Sequence, residues 1–236
     1  MDQILENPKG VKSTLKTLNE LRLRFGTMKT LVHAAFRLVN RFIYFDCLHI
    51  IALDRENLKP LDSAKTYKLS SKIATLEDLK EMENQGCWLM KGKMELFNRG
   101  DTCLLSYIDN KLAGYTWVLT NGCPSFVVCG LRLSVPPGYL YSWEGWTHPH
   151  YRGYGLQSFR HHEILNHPRW KNMKGLLGYR VHTNYSSKKG QDKSGFERIG
   201  NVYIIGRKSK VHAYIGKNLR SMGINRVNRP KSAETK

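Results

Sequence analysis

Three things are scarce in this sequence: acidic side chains, paired cysteines and long apolar runs. The cysteines are odd in number and none of them form a CxxC pair; they are Cys47, Cys87, Cys103, Cys123 and Cys129. This pattern predicts neither a disulfide framework nor a zinc site, and we expect no bound metal. Thiols inside apolar runs are expected to behave as small hydrophobic side chains.

The most apolar stretch, residues 30–53, is interrupted by Arg37, Arg41 and Asp46. Charges at this density disfavour a helix that spans a membrane. The first ten residues, MDQILENPKG, lack the basic segment and the apolar core of a signal peptide. Together these absences predict a reducing, cytoplasmic location.

The scarcity of acidic residues is uneven along the chain. There are 38 Lys and Arg against 19 Asp and Glu, which gives a net charge of +19. Residues 61–150 balance nine basic against nine acidic side chains, whereas residues 151–206 carry ten against three and residues 207–236 nine against one. Such a basic surface favours phosphate-bearing coenzymes, an acidic carrier protein, nucleic acid or an anionic membrane. A merely solubilising surface is the alternative.

The apolar spacing predicts an α/β chain of the mixed α+β kind. Residues 12–42 indicate one or two amphipathic helices with a break near Gly26. Strands are then expected at 47–53, 67–71, 103–108, 112–119, 126–135, 139–147, 175–183 and 193–205, and helices from Thr75 and at 156–167. Their order predicts a largely antiparallel first half, followed by a βαβ-like crossover around residues 139–183.

A glycine-rich loop begins that crossover helix. Residues 147–158 read THPHYRGYGLQS and follow an aromatic strand, YLYSWEGWT. Backbone N–H groups at a helix N-terminus lack intrahelical partners, and glycines let an anion approach them closely. The loop lacks the GK[ST] of a Walker motif and the spacing GxGxxG. On its own it fits a phosphate cradle and a tight strand-to-helix turn equally well.

A second motif extends this interpretation. The run HPHYRGYGLQ resembles the coenzyme-A-binding motif of the GNAT (Gcn5-related) acyltransferases, V-x-P-x-(Q/R)-(R/x)-x-G-x-(G/A). That family commonly continues with N-x-x-A-x-x-x-Y-x-x-x-G-F, and NYSSKKGQDKSGF places Asn184, Ser187, Gly195 and Phe196 at those offsets. The resemblance covers roughly residues 66–206. It leaves residues 1–60 as a helical extension with one strand, and residues 207–236 as a basic, partly disordered tail.

The resemblance implies a GNAT-like central twisted sheet, mostly antiparallel, flanked by helices and splayed at a coenzyme A site. The pyrophosphate would lie on the loop, and the pantetheine arm would pair with the preceding strand. The implied contacts are Trp146, Thr147, Arg152, Gly153, Tyr154, Gly155, Leu156, Gln157 and Ser158, with Asn184 near the thioester. No metal is implied.

Two positions depart from the family pattern. Gln157 replaces the last small residue of the loop motif, and Gln191 replaces the Tyr that commonly protonates the departing thiolate. Tyr185 is the nearest substitute acid in sequence, with packing or a phosphopantetheine contact as its alternative. Glu144 is the candidate base, because it is the only acidic residue between Asp109 and Glu163. Binding of a cationic substrate or pairing with an arginine are its other roles.

The resemblance implies an N-acyltransferase that moves an acetyl or other short acyl group from acyl-CoA to an amine. An acidic acyl carrier protein is the alternative donor, since it would use the whole basic downstream half. A non-catalytic module that binds nucleic acid or an anionic membrane is a third hypothesis. Nucleic acid is disfavoured because Tyr214 is the only aromatic residue in the tail. Four histidines around the loop are expected to be exposed or to face phosphate: His148, His150, His161 and His162.

Overall fold

A computed structural model of the chain describes residues 11–61, 68–84, 93–98, 100–119, 131–207 and 210–227. Eight strands form one sheet; they are β1 (Tyr44–Asp54), β2 (Leu69–Ile73), β3 (Thr102–Ile108), β4 (Lys111–Leu119), β5 (Tyr139–Thr147), β6 (Gly175–Val181), β7 (Glu197–Arg207) and β8 (Lys210–Ile215). The strand order is β2-β3-β4-β5-β6-β1-β7-β8. Every neighbouring pair is antiparallel except β5 and β6, which are parallel. The mixed, mostly antiparallel fold class is confirmed.

Seven helices flank the sheet in the described part of the chain. They are α1 (Val11–Phe25), α2 (Thr27–Val39), α3 (Leu76–Asn84), α4 (Met94–Asn98), α5 (Leu156–Asn166), α6 (Tyr185–Ser194) and α7 (Lys217–Ser221). The expected break at Gly26 separates α1 from α2, where its φ of 89° lies in the region that glycine tolerates best. Sequence analysis did not predict α4, α6, β8 or α7. The predicted strand at 126–135 lies mostly outside the described residues, and Leu133 forms only an isolated bridge with Arg226.

The first strand lies in the middle of the sheet. β1 is paired with β6 on one side and with β7 on the other. Leu48 and Ile50 are buried on one face of the sheet, whereas Ile51 and Leu53 are buried on the other. A strand from the predicted extension 1–60 and a strand from the predicted tail 207–236 therefore belong to the same sheet as residues 66–206, so the sheet crosses both predicted boundaries.

The two parallel strands diverge soon after they pair. Their register runs only from Tyr139 opposite Gly175 to Tyr141 opposite Leu177. Beyond this point β5 stays with β4, and β6 stays with β1. The sheet is consequently splayed between the carboxyl ends of β5 and β6, which is where open α/β sheets commonly bind ligands.

The hairpin of α1 and α2 keeps much of its apolar surface exposed. Its large exposed side chains include Leu23, Met28, Leu31, Leu38 and, just beyond α2, Phe42. No acidic residue occurs between Glu20 and Asp46, so every charged side chain of residues 21–45 is basic. Among the residues that the structure describes, no helix combines the length and the apolar character needed to cross a membrane.

Candidate active site

A cavity of about 270 Å³ occupies the splay. Residues 142–145 of β5 form one side of it, and residues 178–181 of β6 form the other. Helices α5 and α6 contribute further side chains, among them Gln157 and Gln191. The splay, α5 and α6 thus bring residues of both sequence motifs to one cleft.

The glycine loop lies at the start of α5. Gly153 and Gly155 have φ values of 91° and 78°, and Gly155 is the N-cap residue without any capping side chain. The backbone N–H groups of residues 155–158 donate to no carbonyl or side chain of the described chain. A helix start with free donors and the positive end of the helix dipole is suited to an anion.

The side chain of Gln157, which replaces the small residue of the loop motif, fits against a glycine in α6. Its side-chain amide packs against Gly190, where a Cβ atom would collide with it. Gln157 therefore directs its side chain toward α6 rather than toward the loop. The larger residue at this motif position does not block the free N–H groups of the first turn.

Glu144 lies at an irregularity in β5. The register with β4 shifts between Tyr115 and Trp117, so β5 has one extra residue here. The φ of Glu144 is 46°, an uncommon value for a residue with a side chain, and such strain is often found at functional sites. Its two carboxylate oxygens lie 2.5 and 2.6 Å from Nζ of Lys93. An ion pair with an arginine was one of the alternatives to the role of base; the partner is this lysine instead.

Helix α6 presents a polar wall to the cleft. Asn184 caps α6, since its Oδ1 accepts a hydrogen bond from the Ser187 N–H at 3.0 Å. Gln191, at the position of the family's Tyr, accepts a 2.9 Å hydrogen bond from Nη1 of Arg180. Arg180 is buried, which lowers its pKa, and Asp192 lies 3.6 Å away as a partial counter-charge. A guanidinium therefore lines the cleft beside the glutamine.

A second buried guanidinium, that of Arg160, lies on the α5 side. It donates to the hydroxyls of Ser106 at 3.1 Å and Thr147 at 3.0 Å. No carboxylate of the described residues forms an ion pair with it, and burial lowers its pKa to about 10. Gly114 leaves room for it, because a Cβ there would lie 2.7 Å from Nη1. This cation adds positive potential beneath the cleft.

The expectation that His161 is exposed or faces phosphate was wrong. Its ring is buried between α5 and α6, and Nδ1 lies 2.8 Å from the Ser194 hydroxyl, which donates in turn to Ser158 at 3.1 Å. Burial and the nearby Arg160 lower the pKa of His161 to about 3. The imidazole is therefore neutral at pH 7 and ties the two helices together.

Tyr185 does not line the cleft. Its ring lies 5.7 Å from that of Phe25, and Nζ of Lys29 lies 5.4 Å from the ring centroid. The first turn of α6 directs Tyr185 toward the N-terminal hairpin instead, so its role as substitute acid is corrected to packing.

The remaining predicted residues lie along β5 and the loop. Trp146 stacks on Tyr115 at 5.8 Å, and the Thr147 hydroxyl is taken by Arg160. The backbone of Trp146 and Thr147 pairs with β4 on one side. On the side that faces the splay it pairs with no described strand. Arg152 and Tyr154 are exposed beside the glycines.

Sequence reasoning missed Lys93, Arg160 and Arg180, whose roles depend on contacts across the sheet. Arg180 had one local signal, since it precedes Asn184 by four residues at the end of a predicted strand. The described residues contain no cluster of three or more His, Cys, Asp and Glu side chains that could hold a metal ion.

Comparison with known proteins finds similarity in three-dimensional structure. No protein-family model matches the chain, and no curated protein matches it. A functionally unknown conserved protein from Staphylococcus epidermidis ATCC 12228 is similar over 72% of this chain and 65% of its own, with 9% identity and a TM-score of 0.52. At this identity the likeness concerns the fold alone.

Two further similar structures are acetyltransferases by name. A GNAT-family acetyltransferase from Colwellia psychrerythraea covers 70% of this chain and 57% of its own, with 15% identity and a TM-score of 0.47. A GCN5-related N-acetyltransferase from Kribbella flavida covers 75% and 64%, with 11% identity and a TM-score of 0.43. This chain spans less than two thirds of each of these three proteins.

The fold implied by the two sequence motifs is the fold observed. The sheet is splayed between β5 and β6, the glycine loop opens the helix that follows β5, and the second motif forms the helix that follows β6. The chain therefore has the splayed, mostly antiparallel sheet flanked by helices that the resemblance implies.

Proposed function

We propose that the chain is an N-acyltransferase that moves an acetyl or other short acyl group from acyl-CoA directly to an amine. The observation that carries the proposal is the row of free N–H groups at residues 155–158, placed at the end of a splayed sheet. A phosphate ligand would use these donors.

The residues of the cleft fit acyl-CoA along its length. Backbone donors of Gly155, Leu156, Gln157 and Ser158 would hold the pyrophosphate, with Gly153, Tyr154 and the exposed Arg152 beside it. The unpaired edge of β5, as far as Trp146 and Thr147, would hydrogen-bond the amides of the pantetheine arm, as a further strand does at a sheet edge. The thioester would then lie near Glu144, which lines the cavity in the splay.

The reaction forms a C–N bond to the acyl carbon and breaks its C–S bond, while the amine loses one proton. Glu144 is the proposed base, since it is the carboxylate that lines the cavity. Lys93 contacts both of its oxygens, so the carboxylate would take up the proton through a remaining lone pair or as this ion pair opens. The pair also leaves a positive charge beside the cleft once Glu144 is protonated.

The departing thiolate needs stabilisation that Gln191 cannot provide as an acid. We assign this role to Arg180, whose guanidinium is buried beside Gln191. Arginine side chains keep their charge in proteins. Fixed positive charge in a water-poor site stabilises a developing anion without transferring a proton. The thiolate then takes its proton from solvent after release.

The test is thiol release from acetyl-CoA and from longer acyl-CoAs with a panel of primary amines. We expect amine-dependent release of free coenzyme A, greatest with a short acyl group and reduced at least about hundredfold in kcat in Glu144→Gln. Glu95→Gln, on the neighbouring α4, is the matched control, because this residue does not line the cleft.

Three outcomes would contradict the proposal in different ways. Release only from an acyl carrier protein would reassign the donor. Full activity in Glu144→Gln would remove this residue from the role of base. Absence of coenzyme binding, with tight and salt-sensitive binding of DNA or anionic vesicles, would replace the enzyme with a binding module.

A further inference from the structure

A second cavity, of about 420 Å³, lies between the N-terminal hairpin and the sheet. Side chains of α2, of the first residues of β1 and of the end of β6 line it. Phe36, Tyr44 and Phe45 provide apolar surface, whereas His33, Arg37 and Asp46 provide charge and hydrogen-bonding groups. The mixture of aromatic walls and a few polar groups is typical of a site for a small ligand.

Asp46 is the acidic group of this cavity. Its side chain is buried, with 8% of its surface exposed, and its Oδ1 accepts the Cys47 N–H at 2.8 Å. In the described part of this very basic chain, no Lys, Arg or His lies within ion-pair distance of it. Burial raises the pKa of Asp46. The Tyr44 hydroxyl and the nearby His182 stabilise the carboxylate in part. No ion pair among the described residues neutralises it, so a cationic ligand would lower the remaining cost of burial.

Two other polar groups face the cavity without partners among the described residues. Nδ1 of His33 is buried and makes no hydrogen bond. The Arg37 guanidinium, exposed on α2, makes no ion pair with a described residue. By contrast, the Asn40 side chain is fully used, since it donates to the Phe36 carbonyl and accepts from the Phe45 N–H. The cavity therefore offers a ligand one carboxylate that forms no ion pair with a described residue, one guanidinium and one imidazole.

The second cavity adjoins the cleft in the splay. Val181 lines both cavities, Thr183 lines the second and Asn184 lines the first. The boundary between them is therefore the end of β6 and the turn that follows it. A molecule in the second cavity lies one side chain away from the cleft that would hold the acyl group.

Resting on the proposed function, we propose that this second cavity binds the acyl acceptor, and that the acceptor is a small zwitterion. Asp46 binds one ammonium group of it and Arg37 binds an anionic group such as a carboxylate, while a second amine, the one that is acylated, extends past Val181 into the first cleft. Phe36, Tyr44 and Phe45 contact the carbon chain between the two charges. The N-terminal hairpin, which lies outside the sequence motifs, thereby determines which amine is acylated.

The test is calorimetric titration of the full chain without coenzyme, using the amino acids from glycine to 6-aminohexanoate, n-butylamine and butanoate. We expect one amino acid of the series to bind more tightly than either singly charged probe. Asp46→Asn should weaken the binding of that amino acid and of butylamine at least about tenfold, and should leave the binding of butanoate unchanged. Arg37→Met should weaken the binding of the amino acid and of butanoate about threefold.

The matched control is Arg41→Met, which removes an exposed arginine of the same hairpin that does not line the cavity. Arg37→Glu provides a second variant at an exposed position, where folding is not at risk; it should reverse the preference from butanoate to butylamine. The inference is overturned if no probe binds, or if Asp46→Asn binds every probe as Arg41→Met does.

Acetyl-CoA titration of the same proteins separates this inference from the proposed function. We expect Asp46→Asn to bind acetyl-CoA within about twofold of the unsubstituted chain, because Asp46 does not line the first cavity. If acetyl-CoA binds and amines are acylated equally well by Asp46→Asn, the function stands and the acceptor site is wrong. If the zwitterion binds at Asp46 but acyl-CoA does not bind at all, the proposed function fails, and with it the identification of the ligand as an acceptor.

Discussion

The two helical walls of the cleft differ in how their polar groups are used. On the α5 wall, residues 155–158 leave backbone donors free, and Gly153 has no atom within 4 Å of where a side chain would begin. On the α6 wall, polar groups are tied to neighbours, as in the pair of Arg180 and Gln191. The difference indicates that the α5 wall is kept open for a ligand, whereas the α6 wall is held by the protein itself.

The largest expected effect separates two glycines, one on each wall. Gly195 ends α6 with φ of 102°, and a Cβ there would collide with the Asn57 carbonyl. Gly195→Ala should therefore lower the free energy of unfolding by about 3 kcal/mol. Gly153→Ala meets open space and should cost only about 1 kcal/mol. Urea denaturation measures both, and equal losses would show that the walls do not differ in this way.

The second effect concerns catalysis on the α6 wall. Arg180→Met should lower kcat about hundredfold, because the departing thiolate loses a fixed positive charge, and should change the acetyl-CoA dissociation constant less than about threefold. Adding Gln191→Tyr should restore part of the rate, since a phenol donates a proton. Lys188→Met is the control, because Lys188 also pairs with Asp192 but lies on the exposed side of α6. Equal losses of kcat in Arg180→Met and Lys188→Met would show that the effect follows from the loss of any nearby positive charge and not from Arg180 in particular.

The contact between the walls should depend on pH. The pKa of His161 is about 3 in the folded chain against an ordinary value of 6.5, so between these values the unfolded chain binds a proton that the folded chain does not. Stability therefore falls as the pH falls below 6.5, by about 1.4 kcal/mol per pH unit from this group. Between pH 6.5 and 5, the unsubstituted chain should lose about 2 kcal/mol more than His161→Gln.

His49 provides the internal comparison for that experiment. Burial also lowers its pKa, to about 4, and it is present in both proteins, so its contribution cancels in the difference. Denaturant midpoints at several pH values measure the effect. Parallel pH profiles for the two proteins would show that His161 does not titrate between folded and unfolded states.

The smallest expected effect tests how much a charged side chain beside the glycine loop contributes to coenzyme binding. Arg152→Gln should raise the dissociation constant of acetyl-CoA about fivefold at low salt, with the difference shrinking as salt is added, because Arg152 is exposed. Lys189→Gln, an exposed cation of α6, should change it less than about twofold. Equal effects would indicate general attraction by the basic surface in place of a contact at the loop.

Local sequence patterns predicted the α5 wall well and the α6 wall poorly. The aromatic strand, the glycines and the helix after them are contiguous, so β5, the loop and α5 were predictable from the sequence. Helix α6 was not, because its sequence, YSSKKGQDKS, has a single apolar side chain and therefore no helical periodicity. Its stability derives from the Asn184 cap and from buried contacts such as that of Ser194 with His161.

Contacts between distant segments explain the other differences. The central position of β1 follows from pairing with β6 and β7, more than 120 residues later in the sequence, which no local pattern encodes. Arg160 and Arg180 look like ordinary surface cations in sequence and are buried only because α5 and α6 pack on the sheet. The direction of Tyr185 was likewise set by the hairpin that packs against it.

The most direct test of the account is hydrogen–deuterium exchange of the full chain with and without coenzyme A. The account predicts that binding slows exchange at the amides of residues 155–158, because these N–H groups have no partner in the described chain and gain one from the pyrophosphate. The amides of β7 serve as the internal reference and should not change. Tight coenzyme binding with unchanged exchange at residues 155–158 would contradict the central claim that the glycine loop and the helix start hold the coenzyme.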